Sequence, residues 1–492
     1  MQAEILGGES LNLSQLLKGV TLLVDHIGQD IEITSLSCDT RTMEPGALFV
    51  ALPGYHWDGS DFIKEALQKG AVAVLCSKCP EEPGPYLLVE DTRAALATVS
   101  ANWFGHPAEE MTILGVTGTN GKTTTTYLLK AMLEKVLGAK VGLIGTNQNM
   151  IGAEVLPAAR TTPEAYDLHE LFRRMKDVGC THVVMEVSSH ALMLHRVDGI
   201  AFKAGIFTNL TQDHLDFHGT MERYRDAKGR LFQQCETGIF NLDDEAGRYF
   251  AESTPCKRFT YSENKPEADL LAENIRLLSD HVEFEALILG GISRVRLPIP
   301  GGFTIYNALG VIACGLVLGL PLPEIAASLA TASGVKGRVE VVPTPADYTV
   351  IIDYAHTPDA LENILLTARD FTQKRLICLF GCGGDRDRSK RPIMAEVAAS
   401  LADLVILTSD NPRTEPPEAI MADVEEGFPS SFTGVRKEVD RRRAICLALS
   451  EGQPGDVIVL AGKGHETYQE IDGQHFHFDE REEIAAYFQS KS

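Results

Sequence analysis

The stretch Gly115-Val-Thr-Gly-Thr-Asn-Gly-Lys-Thr123 constrains the fold more than any other part of the chain. An apolar run, Thr112–Val116, leads into it, and a helical pattern reaching about Leu137 follows. Strand, Gly-rich turn and helix in that order belong to a layered α/β fold with a mostly parallel sheet. Gly118 and Gly121 permit the tight backbone and the close approach that a phosphate requires. Amides at the helix start, from Thr119 and Asn120 to Thr124, face the anion. Lys122 can neutralise β/γ-phosphate charge and Thr123 can coordinate Mg²⁺. A strict phosphate-loop pattern has glycine at position 116, where this chain has Val116, so the loop is a variant. The competing reading is a Gly-rich turn with a stray lysine. Strand, Gly-Lys-Thr and helix converging at one place favour nucleotide binding.

Apolar runs alternate with amphipathic helical patterns along the rest of the chain. Strands are expected at Lys140–Ile144, His182–Val187, Ala204–Thr208, Thr349–Ile352, Leu376–Phe380, Leu404–Leu407 and Val457–Leu460. Breaks at Asn102–Glu110 and Ser333–Gly337 divide the 492 residues into three expected domains, 1–105, 106–336 and 337–492. A formal net charge of -23 argues against a general nucleic-acid partner or an anionic membrane surface. The longest uncharged apolar run, Ala308–Leu320, is too short to cross a bilayer, and the N-terminus has no basic region ahead of an apolar one. Ten scattered cysteines suit a reducing, cytoplasmic setting. Cys76 and Cys79 form a lone Cys-x-x-Cys without a second pair or a nearby histidine, which reads as coincidence.

Several segments carry chemistry of their own. Glu186 closes an apolar strand, where a carboxylate can face a nucleotide-bound metal. His214 lies just past another strand end, in Asp-His-Leu-Asp-Phe-His. Mg²⁺ prefers oxygen, so His214 reads equally as a structural histidine or a ligand. Lys228, in YRDAKGRLF, reads as one of several exposed helix charges. Near the N-terminus, Ser37-Cys-Asp-Thr-Arg41 and the loop after Ala47–Leu52 place polar and aromatic groups where a base could stack, though a protein contact would look the same.

GTNGKTTT, MEVSSHAL (Met185–Leu192), FTNLTQDHLDFHG (Phe207–Gly219), YRDAKGRLF (Tyr224–Phe232), DYAHTP (Asp353–Pro358), GCGGDRDRSKRP (Gly381–Pro392), DNPR (Asp410–Arg413) and AGKGHE (Ala461–Glu466) together resemble the Mur ligases, the amino-acid-adding enzymes of peptidoglycan synthesis. The resemblance spans all three expected domains: a UDP-sugar-binding N-terminal domain, a central ATP-binding domain and a Rossmann-like C-terminal domain holding the incoming amino acid. It implies domain closure, and the chain is expected to be a monomer, with no nucleic-acid or membrane partner on the charge and span grounds above. It implies two Mg²⁺ ions held with ATP by Thr123, Glu186, His214 and Lys228, the last as a CO₂-derived carbamate. Lys122, Glu186, His214 and Lys228 become the catalytic set. Asn307, Arg338, Asp353 and His356 join the loop as ATP contacts. Thr40, Tyr55, His56, Trp57, Thr161, Thr162, Ser188 and Arg196 are assigned to UDP-MurNAc-L-Ala-D-Glu. Arg386, Asp410, Asn411, Pro412, Arg413, Gly462 and Glu466 are assigned to meso-diaminopimelate. The implied reaction is ATP-dependent amide formation on the D-Glu γ-carboxylate through an acyl phosphate.

The choice of diamino acid rests on Arg413. Its planar fork suits the distal carboxylate of meso-diaminopimelate, which L-lysine lacks. Asp410 or Glu466 would pair the ammonium. Lysine would leave a buried cation unpaired, which is costly. Three other readings compete. A folylpolyglutamate synthase shares the loop but lacks a UDP-binding first domain. A switch or motor ATPase would turn over nucleotide alone. A regulatory UDP-sugar-binding protein would have no need of Lys122, Glu186, Lys228 and Arg413.

Overall fold

The computed structural model describes residues 10–54, 58–78, 80–81, 83–278, 280–332 and 334–491. Tyr55, His56, Trp57 and Cys79 lie outside the described residues. The chain divides into two compact units, Met1–Phe259 and Thr260–Ser492.

The first unit holds two large sheets and a short antiparallel pair, Leu11–Asn12 with Glu32–Ile33. A five-stranded sheet runs in the order Val24–Asp25, Tyr86–Leu88, Ala73–Cys76, Ala47–Val50, Ser35–Ser37. It is parallel except at the Val24–Asp25 edge. In the second, Val141–Ile144, His182–Glu186, Thr112–Thr117, Phe202–Phe207 and Cys235–Asn241 lie side by side and parallel. A hairpin, Asn149–Ile151 and Glu154–Leu156, extends it on the Val141 side. Thr112–Thr117 is thus a central strand with neighbours on both sides. That explains its continuous apolar character and fixes the position of the loop that leaves its carboxyl end.

The second unit contains an antiparallel ladder of Leu270–Leu277, Val282–Ile288 and Gly291–Leu297. Most of the apolar run Ala308–Leu320 lies in the helix Gly302–Val317, where every residue from Asn307 to Gly315 is buried. Among the described residues no helix is long and apolar enough to cross a membrane.

A six-stranded sheet follows, ordered Glu340–Val342, Thr349–Asp353, Val457–Ala461, Leu376–Phe380, Leu404–Leu407, Val435–Lys437. Only its Glu340–Val342 edge is antiparallel. Successive residues of its strands feed two separate cores. Ile351, Cys378, Val405 and Val459 face one, while Ile352, Ile377, Ile406 and Ile458 face the other. A sheet covered on both faces leaves its polar chemistry to the loops at the carboxyl ends of its strands, where ligands of open α/β sheets bind.

Candidate functional site

In the first unit, Gly118 follows the central strand at φ 150°, and Gly121 caps the helix Lys122–Leu137 at φ 85°. A Cβ on Gly118 would lie 1.9 Å from the Thr208 hydroxyl oxygen, so no side chain fits there. The loop is pinned by the neighbouring strand end. Thr119 N–H donates to the Asn209 carbonyl and Asn120 N–H to Asn209 Oδ1, both at 2.9 Å, while Thr208 Oγ1 donates to the Asn120 carbonyl at 2.6 Å. Thr123 and Thr124 are buried in the first helical turn.

Two lysines meet at this loop. Lys122 Nζ donates to the carbonyls of Gly118 (2.9 Å) and Thr119 (2.8 Å). Lys228 Nζ donates to the same Gly118 carbonyl at 2.9 Å and is only 1% exposed. The reading of Lys228 as an exposed helix charge is therefore corrected: its helix turns it inward beneath the loop. Burial pushes its amine well below the usual lysine range. The Lys122 charge adds to that effect and Asp213 opposes it.

Glu186 closes its strand almost fully buried, its carboxylate taking hydrogen bonds from Thr146 N–H (2.9 Å) and Thr146 Oγ1 (3.0 Å). Thr146 Oγ1 meets Thr161 Oγ1 at 3.0 Å. Thr162 Oγ1 donates to the Glu186 carbonyl at 2.8 Å and accepts from Ser188 N–H at 3.1 Å. Arg196 donates to the Thr162 carbonyl at 3.0 Å and pairs with Glu164 at 2.6 Å. Glu186, Thr161, Thr162, Ser188 and Arg196 thus form one connected cluster. Thr40 is buried near the carboxyl end of Ser35–Ser37, with its carbonyl bonded to Lys69.

His214 adopts a left-handed conformation, φ 52°. Its half-exposed ring stands edge-on to His190, with centroids 4.8 Å apart, and to Tyr224 at 6.2 Å. The Tyr224 hydroxyl meets Thr119 Oγ1 at 3.2 Å, which links this aromatic group to the loop. The donors fit Mg²⁺ in part. The Thr123 hydroxyl and the Glu186 carboxylate are hard oxygens, and among the described residues Thr146 alone donates to that carboxylate. The imidazole of His214 is the less suited donor.

The second unit places Asp353 and His356 at and after the carboxyl end of Thr349–Asp353, Arg338 before Glu340–Val342, and Asn307 in a helix. Asp353 is buried and accepts from Val339 N–H (2.8 Å) and Ala355 N–H (2.9 Å), and burial raises its pKa. The Arg338 guanidinium lies 5.2 Å from the Tyr354 ring centre. Asn307 is buried within Gly302–Val317. The carbonyl of the exposed His356 accepts from Lys390 at 2.8 Å.

A denser network joins the DNPR and AGKGHE segments. Asn411 Nδ2 donates to Glu466 Oε2 at 3.0 Å. Lys463, fully buried, donates to Asn411 Oδ1 (2.9 Å) and Glu466 Oε2 (2.8 Å). A Cβ on Gly462 would lie 2.5 Å from Asp410 Oδ2, and that buried oxygen has no partner among the described residues. Pro412 is buried, and its carbonyl lies 1.9 Å from where a Cβ on Gly384 would be. Arg413, at φ 52°, donates from Nε to Glu470 Oε2 (2.9 Å) and from Nη1 to the Gly384 carbonyl (2.7 Å). Arg386 is exposed at the rim of the same loops.

Sequence reasoning missed Lys463 and Glu470. Lys463 stands between two glycines, so no periodicity flags its burial. Glu470 reaches Arg413 from 57 residues away through the hairpin of Tyr468–Ile471 and Gln474–His477. Its presence also changes one argument: Arg413 already has a charge partner, so a ligand without a distal carboxylate does not leave it unpaired.

Three family models match in succession. The one described as "Mur ligase family, catalytic domain" matches residues 32–103, "Mur ligase middle domain" residues 116–315, and "Mur ligase, glutamate ligase domain" residues 337–464. The chain is 46% identical, over 96% of its length and 98% of the relative's, to a UDP-N-acetylmuramoyl-L-alanyl-D-glutamate–2,6-diaminopimelate ligase of Caldanaerobacter subterraneus subsp. tengcongensis. It is 47% identical to the Clostridium botulinum protein of that name, over 92% of this chain and 94% of that one. A solved structure of a ligase of the same name superposes with a TM-score of 0.72 at 31% identity, covering 98% of this chain and 99% of the other. A Mycobacterium tuberculosis folylpolyglutamate synthase, at 18% identity, TM-score 0.60, 75% of this chain and 92% of its own, shares the fold. The chain belongs to the Mur ligase family.

Proposed function

We propose that this protein adds meso-diaminopimelate to UDP-MurNAc-L-Ala-D-Glu in the cytoplasm, with ATP as the driving reactant. The observation carrying this reading is the coexistence of the glycine-strict loop bearing Lys122 with the Arg413–Asn411–Glu466 network, in a chain 46% identical over nearly its whole length to a ligase named for that amino acid. Residues 1–105 bind the UDP-sugar, 106–336 ATP and 337–492 the diamino acid. Thr40, Tyr55, His56 and Trp57 serve the nucleotide-sugar end. Thr161, Thr162, Ser188 and Arg196 serve the muramoyl peptide. Asn307, Arg338, Asp353 and His356 are assigned to the nucleotide.

The D-Glu γ-carboxylate attacks the γ-phosphorus of ATP and ADP leaves. The incoming amine adds to the acyl phosphate, and phosphate departs from the tetrahedral intermediate as the amine loses its proton. Lys122, held at the loop by two carbonyls, places its charge where the β/γ-phosphates lie. Mg²⁺, as two ions, supplies charge neutralisation for the phosphoryl group, with Thr123, Glu186, His214 and carbamylated Lys228 as its protein ligands.

The burial of Lys228 supports that modification. Lowering the pKa of a lysine raises the share of neutral amine, whose lone pair can attack CO₂ and release a proton, leaving an anionic carbamate under the loop. Arg386, Asp410, Asn411, Pro412, Arg413, Gly462 and Glu466 receive the diamino acid. The test is phosphate release with ATP and Mg²⁺. Release requiring both UDP-MurNAc-L-Ala-D-Glu and meso-diaminopimelate is expected. Release with ATP alone, or with a folate in place of the UDP-sugar, would overturn the reading.

A further inference from the structure

The hairpin of Tyr468–Ile471 and Gln474–His477 packs along the DNPR segment: Gln469 Nε2 donates to the Asp410 carbonyl at 2.6 Å, Asp472 N–H donates to the Arg413 carbonyl at 2.9 Å, and Glu470 makes three further contacts. Its N–H donates to Asn411 Oδ1 at 2.9 Å and its carbonyl accepts from Arg413 N–H at 3.1 Å. Its side chain takes Arg413 Nε at 2.9 Å. The Gly384 carbonyl takes Nη1 of the same guanidinium at 2.7 Å. Two of the fork's nitrogens are therefore fixed by the protein from different directions, and among the described residues Nη2 has no hydrogen-bond partner. A flexible arginine becomes a preset one, so binding a carboxylate costs little further side-chain ordering. Asn411 is set in the same act, since its Oδ1 receives both Glu470 N–H and Lys463 Nζ while its Nδ2 reaches Glu466.

We infer that Glu470 is a positioning residue for diamino-acid specificity. It aims the Arg413 guanidinium at the distal carboxylate of the substrate and does not itself touch the substrate. The inference rests on the proposed function. Glu470 acts through orientation, so an acceptor at its position matters more than a charge.

The test is steady-state kinetics of the full-length enzyme, wild type against Glu470→Ala and Glu470→Gln, varying meso-diaminopimelate and ATP separately. Glu470→Ala should raise KM for meso-diaminopimelate about tenfold and leave KM for ATP within about twofold. Glu470→Gln keeps an oxygen acceptor for Nε and should restore KM for the diamino acid to within about threefold of wild type. An unchanged KM in the alanine variant would overturn the inference. A glutamine variant as impaired as the alanine one would also overturn it, because the charge would then be contacting the ligand's ammonium directly. Equal rises in both KM values would indicate a general loss of structure and likewise count against it. A wild type that does not use meso-diaminopimelate at all would instead overturn the proposed function.

Discussion

Under the proposed function, the loop at Gly118–Thr124 and the side-chain network around Asn411, Arg413 and Glu466 would hold anionic groups in opposite ways. The loop is built from backbone. Its shape is set by φ angles open only to glycine and by strand-end hydrogen bonds from Thr208 and Asn209. The network is built from side chains: Lys463 buried among Asn411 and Glu466, and Arg413 clamped between Glu470 and a carbonyl. A backbone site binds what all nucleoside triphosphates share. A side-chain network can be tuned, residue by residue, to one amino acid. The loop should therefore fail outright when disturbed, and the network by degrees.

Lys122→Ala tests the first half of that contrast with the largest expected effect. It should lower ligation by about a thousandfold or more at saturating ATP with the fold intact by circular dichroism. Activity within a few-fold of wild type would break the comparison. Lys228→Ala should also lose most activity, and short carboxylates such as acetate should restore part of it by supplying the missing anion. A wild type indifferent to bicarbonate, with an unmodified amine by mass spectrometry, would remove the carbamate.

Arg413→Ala probes the second half. KM for meso-diaminopimelate should rise about a hundredfold while KM for ATP and the UDP-sugar stay within about threefold. A fall in kcat without a change in KM would place Arg413 outside the amino-acid pocket.

The smallest effect concerns stability and pH. His169 is buried, and burial lowers its pKa to about 4 from 6.5. Between those values the unfolded chain binds a proton that the folded chain refuses, so stability falls as pH drops from about 6.5 toward 4. The slope contributed approaches about 1.4 kcal/mol per pH unit. His169→Leu should flatten the fall of melting temperature over that range. An unchanged profile would show that other groups carry the acid sensitivity.

The sequence made the frame legible where one physical rule dominated. Doubly covered parallel strands must be continuous apolar runs, so Thr349–Asp353, Leu376–Phe380, Leu404–Leu407 and Val457–Ala461 were readable to within a residue. Lys122–Leu137 was also readable, because a glycine cap begins it and Gly138 ends it. The antiparallel ladder Leu270–Leu297 was not foreseen, since its strands alternate buried and exposed residues without a marker of their partners.

Site residues were legible by motif and opaque by environment. Nothing in YRDAKGRLF says that Lys228 points inward, because four other charges, Glu222, Arg223, Arg225 and Asp226, share its short helix. Lys463 and Glu470 acquire meaning only when the hairpin folds back onto Asn411 and Arg413, a contact that sequence spacing cannot express.

The most direct test is competition. The enzyme would be given ATP, Mg²⁺ and UDP-MurNAc-L-Ala-D-Glu with equal concentrations of meso-diaminopimelate and L-lysine, and the products separated by mass. A pocket aimed by Arg413 at a distal carboxylate predicts the diaminopimelate product in excess by about a hundredfold or more. Comparable amounts of the lysine product would contradict the account.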